Sequence, residues 1–218
     1  MNIDLICQEL KQYALPDRAL RDKVYHKSER EHWGIPAAGS DQVARLLAKR
    51  IPEAQLLQLA TDLWNTNLFD SMICAAKLLA LLAVRPSRAL WKTITEFLGV
   101  VDGWALEDTL AHAAWKCLLA DENLLDEVAV WTKHPNFWMR RAALVYTLPF
   151  AKSGRDPERM LEWASSYASD PEWFIQKAIG WWLRVLGEHN PTRVRAFLQV
   201  HWDELKFVAR KEATRKLT

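Results

Sequence analysis

Apolar residues recur along most of the chain with a period near 3.6, and no convincing period-2 alternation appears. Leu56, Leu57, Ala60, Leu63 and Trp64 fall on one helical face, which predicts a helix over about 53–64. Leu161, Trp163, Ala164, Tyr167 and Ala168 do the same for about 158–169. The stretch Phe69–Val84 is apolar nearly all round, with Lys77 its only cation, so it predicts a helix enclosed by neighbours. Helix starts are marked by a capping residue and a proline: Asp156-Pro157, Asp170-Pro171 and Asn190-Pro191. His134-Pro135 and Ile51-Pro52 put Pro in the same place behind weaker caps. Glu53, Glu158 and Glu172 then suit the positive end of a helix dipole. The pattern predicts an all-α chain with helices of about 10–17 residues.

Amphipathic helices alternate with enclosed ones, which suits stacked helix pairs. A small-residue signal repeats inside the second helix of each pair: Ala75-Ala76, Ala113-Ala114, Ala142-Ala143, Ala178 and Ala213, spaced 38, 29, 36 and 35 residues. Small residues let helices approach closely. A cation often stands just before, as in Arg140-Arg141, Lys177 and Arg210-Lys211. Helices with the same role in each repeat share one face of a solenoid, so these cations are expected along one concave surface. The reading is a HEAT-like repeat domain over 1–218, with N-terminal helices in 1–50 and stacked pairs in 51–218. An irregular helical bundle is the rival architecture.

Composition narrows the function. Half of the 218 residues are apolar and 26% are charged, which supports a sizeable soluble core. Only 7 residues are Gly, which argues against turn-rich all-β folds. No apolar run is long enough for a membrane helix, and Asp4 and Glu9 make Met1–Leu10 unlike a signal peptide. Three scattered cysteines, Cys7, Cys74 and Cys117, form no disulfide framework, so the chain reads as a reduced, cytoplasmic protein. The net charge of +2 is uneven: residues 1–132 sum to −4 and residues 133–218 to +6. A basic half suggests a polyanion partner, against the plainer reading of a solvated surface.

Motifs for metal, nucleotide and serine-hydrolase chemistry are missing, so no metal and no cofactor are expected. Trp104 and Asp108 are four apart and share a helix face, which His112 continues. A π face beside a carboxylate suits a developing cationic sugar. A core Trp beside an Asp paired to a cation explains the same spacing. Arg140 and Arg141 point about 100° apart on a helix, so one can face a groove while the other meets solvent. Trp181 and Trp182 are related in the same way. Gly180 sacrifices helix stability of about 1 kcal/mol relative to Ala, which a close helix approach would explain.

At these residues the chain resembles the DNA alkylation repair glycosylases of the AlkD type. The most specific match is Phe174-Ile175-Gln176-Lys177-Ala178-Ile179-Gly180-Trp181, followed by Leu183-Arg184, Asn190-Pro191 and Arg210-Lys211-Glu212-Ala213. Trp138-Met139-Arg140-Arg141-Ala142-Ala143 resembles the family's central Trp-x-x-Arg-Ala-Ala segment, and Trp104-Ala105-Leu106-Glu107-Asp108 its Trp-x-x-x-Asp pair. Ala105 stands where a second Trp is expected. Leu63-Trp64 opens a matching repeat, and Tyr25-His26-Lys27 through Gly34-Ile35 resembles the N-terminal region.

The resemblance implies a HEAT-like solenoid that binds duplex DNA in a concave groove and excises N3- and N7-alkylpurines, acting as a monomer away from membranes. It implies Asp108, Trp104 and Trp181 as catalytic residues. Asp108 stabilises the oxocarbenium-like sugar, and both rings offer it π faces. Arg141 holds a phosphate, and Arg140, Lys177, Arg184, Arg210 and Lys211 are further DNA contacts. The cationic base leaves neutral, so a strong general acid is unnecessary. Two readings compete: a non-catalytic HEAT scaffold binding DNA or protein, and a protein-only adaptor suited to the modest net charge.

Overall fold

The computed structural model describes residues 2–152 and 157–217. Among the described residues the chain forms fourteen helices and no strand. They pack as two compact units, Met1–Ala120 and Asp121–Thr218.

The first unit holds α1 (Ile3–Lys11), α2 (Pro16–His26), α3 (Ala37–Arg50), α4 (Glu53–Trp64), α5 (Phe69–Ala80), α6 (Arg88–Leu98) and α7 (Trp104–Ala120). Helices α4 and α5 form one antiparallel pair, α6 and α7 the next. The second helices pack on one another in a row, α3 on α5 on α7, while α4 packs on α6. The small residues explain the row: Ala75, Ala76, Ala113 and Ala114 are all fully buried where backbones approach. Helix α5 is enclosed, as its all-round apolar pattern predicts. It ends at Ala80 and does not reach Val84. The Lys116 ammonium of α7 donates to the carbonyls of Leu79, Leu81 and Val84, satisfying acceptors that a longer helix would have used itself.

The second unit holds α8 (Leu124–Trp131), α9 (Phe137–Val145), α10 (Leu148–Lys152), α11 (Glu158–Ser166), α12 (Trp173–Gly187), α13 (Pro191–His201) and α14 (Phe207–Thr214). Its row of second helices is α9 on α12 on α14, with Ala142, Ala143, Ala178 and Ala213 buried at the contacts. The fold is therefore all-α and built from repeated helix pairs. Gly180 is the point of closest approach between α12 and α14. A Cβ there would sit 2.8 Å from the Ala209 carbonyl oxygen and 2.7 Å from the Glu212 Cβ.

The helix starts are more varied than Pro at the first helical position. Asn190 caps α13 as expected, accepting from the Arg193 N–H at 3.1 Å ahead of Pro191. Asp170 does not cap α12. It turns the chain through the Glu172 N–H (2.8 Å), and Glu172 itself caps by accepting from the Phe174 N–H. Asn136, not His134, caps α9, so Pro135 lies outside the helix. Pro52 and Pro157 stand at the caps of α4 and α11, one residue earlier than predicted. Asp156 lies outside the described residues. In each case a carboxylate or amide nearer the helix supplies the acceptor, or Pro takes the flanking position where a missing N–H costs nothing. The helices run from 5 to 17 residues, shorter at the low end than predicted.

The charge boundary moves with the units. Asp121, Glu122, Asp126 and Glu127 belong to the second unit, which leaves the first unit neutral and the second at +2. Among the described residues no helix is long and apolar enough to cross a membrane.

Candidate functional site

The start of α7 is set by its junction with the end of α2. Lys27 closes α2 in the left-handed region (φ 55°), which turns the chain back toward α7. Asp102, just before α7, then clamps the turned segment: it accepts from Ser28 Oγ and from Arg30 Nε, each at 3.1 Å. Arg30 also donates to the Val100 carbonyl at 2.8 Å. Gly103 makes the approach possible, because a Cβ there would stand 3.0 Å from the His26 carbonyl oxygen. A second clamp comes from α5. Buried Asp70 accepts from the Trp33 N–H (2.6 Å) and the Ile35 N–H (3.0 Å), and burial pushes its pKa up.

These clamps gather five rings. Trp104 meets Tyr25 edge-on at 5.2 Å and His26 at 5.5 Å, and its indole N–H donates to the Tyr25 carbonyl at 3.4 Å. His26 and His32 both stack on Phe69, at 4.6 and 3.8 Å between ring centres. The indole of Trp104 is therefore held by ring edges and one hydrogen bond, with its body half-exposed.

Beside these rings lies a cavity of about 260 Å³ within the first unit. Trp104, Asp108 and His112 all line it, so the four-residue spacing does place them on one face. The His112 ring is exposed and packs against Trp115 at 4.4 Å. His26, Phe69, Ser40 and Lys77 also line it. Lys77 is drawn to Asp41 (2.6 Å) and to the Ala37 carbonyl. Aromatic faces and a carboxylate around one opening form a site that complements a cation.

In the second unit the predicted cations sit on successive helices of one row. On α12, Lys177, Trp181 and Arg184 share a face by their spacing, and Trp181 is half-buried. Lys177 (2.7 Å) and Arg184 both pair with Glu212 of α14, which Arg215 also reaches at 3.5 Å. Glu212 is only 7% exposed. Burial pushes its pKa up, but the cations outweigh burial and hold it below the usual carboxylate value. Trp182 is fully buried, as its neighbour's orientation requires. On α14, Arg210 lies over the Trp202 ring at 5.3 Å, and exposed Lys211 near Phe207 at 5.9 Å.

The two arginines of α9 differ from the expectation of one facing a groove and one facing solvent. Arg140 bonds the carbonyls of His134 and Pro135 and pairs with Asp170 at 3.3 Å. Arg141 is 3% exposed, with its guanidinium 5.9 Å from the Trp138 ring centre.

His26, His32 and Phe69 are site residues that the spacing of motifs did not single out. The His26–Trp104 contact spans 78 positions, and nothing local in the sequence encodes it. Asp70 and Asp102 were hidden for the same reason.

The sequence profile of the DNA alkylation repair enzyme family matches residues 6–217, nearly the whole chain. The chain belongs to that family. A predicted DNA alkylation repair enzyme from Enterococcus faecalis has a similar solved structure: 22% identity, 94% of this chain and 97% of that one covered, TM-score 0.78. AlkD2 from Streptococcus mutans is similar at 17% identity, covering 94% of this chain and 98% of that one, TM-score 0.60. The protein smu.31 from Streptococcus mutans UA159 gives 18% identity, the same coverages and a TM-score of 0.63. At these identities the likeness establishes the family's fold in this chain. No curated protein sequence matches it.

Proposed function

We propose that this member of the DNA alkylation repair enzyme family is a DNA glycosylase, hydrolysing the N-glycosidic bond of cationic N3- and N7-alkylpurines in duplex DNA. The observation that carries the reading is the shared cavity of Trp104 and Asp108. A base already bearing positive charge leaves as a neutral molecule, so the barrier lies in the sugar, which becomes oxocarbenium-like. Asp108 offers that sugar a negative charge, and the Trp104 ring its negative π face. Neither group stabilises the neutral ground-state sugar as much, which is the condition for catalysis.

In this reading Trp181 is an aromatic contact to the DNA. Lys177, Arg184, Arg210, Lys211, Arg140 and Arg141 contact its backbone, which fixes register without reading sequence. Glu212 keeps Lys177 and Arg184 side by side until phosphate replaces it. Arg141 acts from a buried position, so it needs either a phosphate brought to it or a shift of α9. The test is release of 7-methylguanine from methylated duplex DNA, separated and quantified as free base. Release above the spontaneous rate supports the reading, and a rate equal to that of DNA alone rejects it.

One observation favours a second reading, a non-catalytic DNA-binding helical scaffold. Lys177, Arg184 and Arg140 are already ion-paired and Arg141 is buried, which is also how structural cations look. Salt-dependent DNA binding without base release would select it.

A further inference from the structure

Hydrolysis of the glycosidic bond releases one proton from the attacking water, and Asp108 is poorly suited to take it. A carboxylate that accepts that proton loses the charge that complements the cationic sugar at the moment it is needed. The cavity holds a second candidate, His26, whose protonation pattern the hydrogen bonds define.

His32 Nδ1 lies 2.9 Å from the Arg30 carbonyl oxygen, which can only accept, so His32 Nδ1 carries a proton. In the neutral ring His32 Nε2 is then a bare acceptor. It lies 3.3 Å from His26 Nδ1, so His26 Nδ1 is the donor. A neutral His26 therefore has an unprotonated, basic Nε2. The chain runs carbonyl, His32, His26, and resembles the way a third group orients a catalytic base. Phe69 supports both rings by stacking, and the clamps at Asp70 and Asp102 fix the segment that supplies them.

We infer that His26 is the proton acceptor for the attacking water in the Asp108 cavity, oriented by His32 and the Arg30 carbonyl. The inference rests on the glycosylase reading. The step balances: the C1′–N9 bond breaks with its electron pair going to the base, which leaves neutral. The water oxygen bonds C1′, and the water proton passes to His26 Nε2 and then to solvent. Asp108 stays ionised throughout. The charged groups around His26 are Arg18 and Asp22 on its own helix, paired at 2.7 Å, and His32 from the following segment. From α5 come Asp70 and Lys77, the latter paired with Asp41 of α3, and from α7 Asp108 and His112. Burial, then His32 and Arg18 against the opposing Asp22, keep His26 below the ordinary histidine value, so it is neutral and basic at neutral pH.

Two measurements test this on the full chain. The first is single-turnover 7-methylguanine release between pH 5 and 9. The parent should lose rate as pH falls through the His26 pKa. His26→Phe, which keeps a ring against Phe69, should lose about 10²-fold at pH 8 and lose the acid limb. His26→Gln should behave alike if the Phe variant melts early, and His112→Gln should keep the limb. The second is imidazole ¹⁵N NMR of the free protein. It should show His26 and His32 both protonated at Nδ1 and bare at Nε2. An active parent whose acid limb persists in both His26 variants overturns the inference alone, as does a His26 carrying its proton on Nε2. A parent that releases no alkylpurine overturns the glycosylase reading, and the role of His26 with it.

Discussion

Asp108 is expected to work through charge, so Asp108→Asn tests it with almost no change in shape. The variant should lose about 10²–10³-fold in excision rate, the range set by losing one preorganised electrostatic contact. Its DNA affinity should hold or rise slightly, because a carboxylate opposes phosphate in the ground state. Glu212 makes a different residue-scale prediction, one about stability. Its folded pKa lies below the ordinary 4.5, so its contribution is present above about pH 4.5 and is lost as pH falls through the folded value. Urea midpoints of the parent and Glu212→Gln should therefore converge as pH drops from 5 to 3. A constant gap would mean that the three cations do not depend on the Glu212 charge. At this scale the sequence was partly legible. Trp104 and Asp108 declared themselves through four-residue spacing, whereas His26 and His32 reach the same cavity only through long-range packing.

Helix α12 carries the clearest element-scale contrast. Trp182 fills the core and Trp181 is half-buried on the face shared with Lys177 and Arg184. Trp182→Ala should cost about 3–5 kcal/mol and lower the melting temperature sharply. Trp181→Ala should cost far less and instead slow excision. Reversed melting behaviour would show the helix face to be misassigned. Gly180→Ala forces a Cβ against the Ala209 carbonyl and Glu212, so α12 and α14 must separate, at a cost of about 1–3 kcal/mol. Calorimetric or thermal melts check both. The close approach at Gly180 could be anticipated, because a glycine inside a long helix has to be explained by something. The helix starts could be anticipated only to within a residue or two. Asp170 and Glu172 both offer capping carboxylates two residues apart, and only the chain's path through Pro171 decides which one caps α12.

On the scale of the whole molecule, the repeated alanines were the most informative signal. They mark the helices that pack second on second in both units, because only small side chains permit that spacing. The charge asymmetry was a weaker guide. Its apparent boundary at residue 132 moves to 120 once the acidic start of α8 joins the second unit, which leaves only a small part of the contrast that a polyanion partner would explain. Binding to duplex DNA should nonetheless fall steeply with salt, and Lys177→Ala and Arg184→Ala should each lower the slope by about one contact. The account as a whole rests on the chemistry of one cavity in the first unit. The most direct test is single-turnover release of 7-methylguanine from methylated duplex by the parent and by Asp108→Asn, with binding measured in parallel. The account predicts rapid release by the parent, release by the variant reduced at least about 10²-fold, and similar affinities. Equal excision by the two proteins would contradict it.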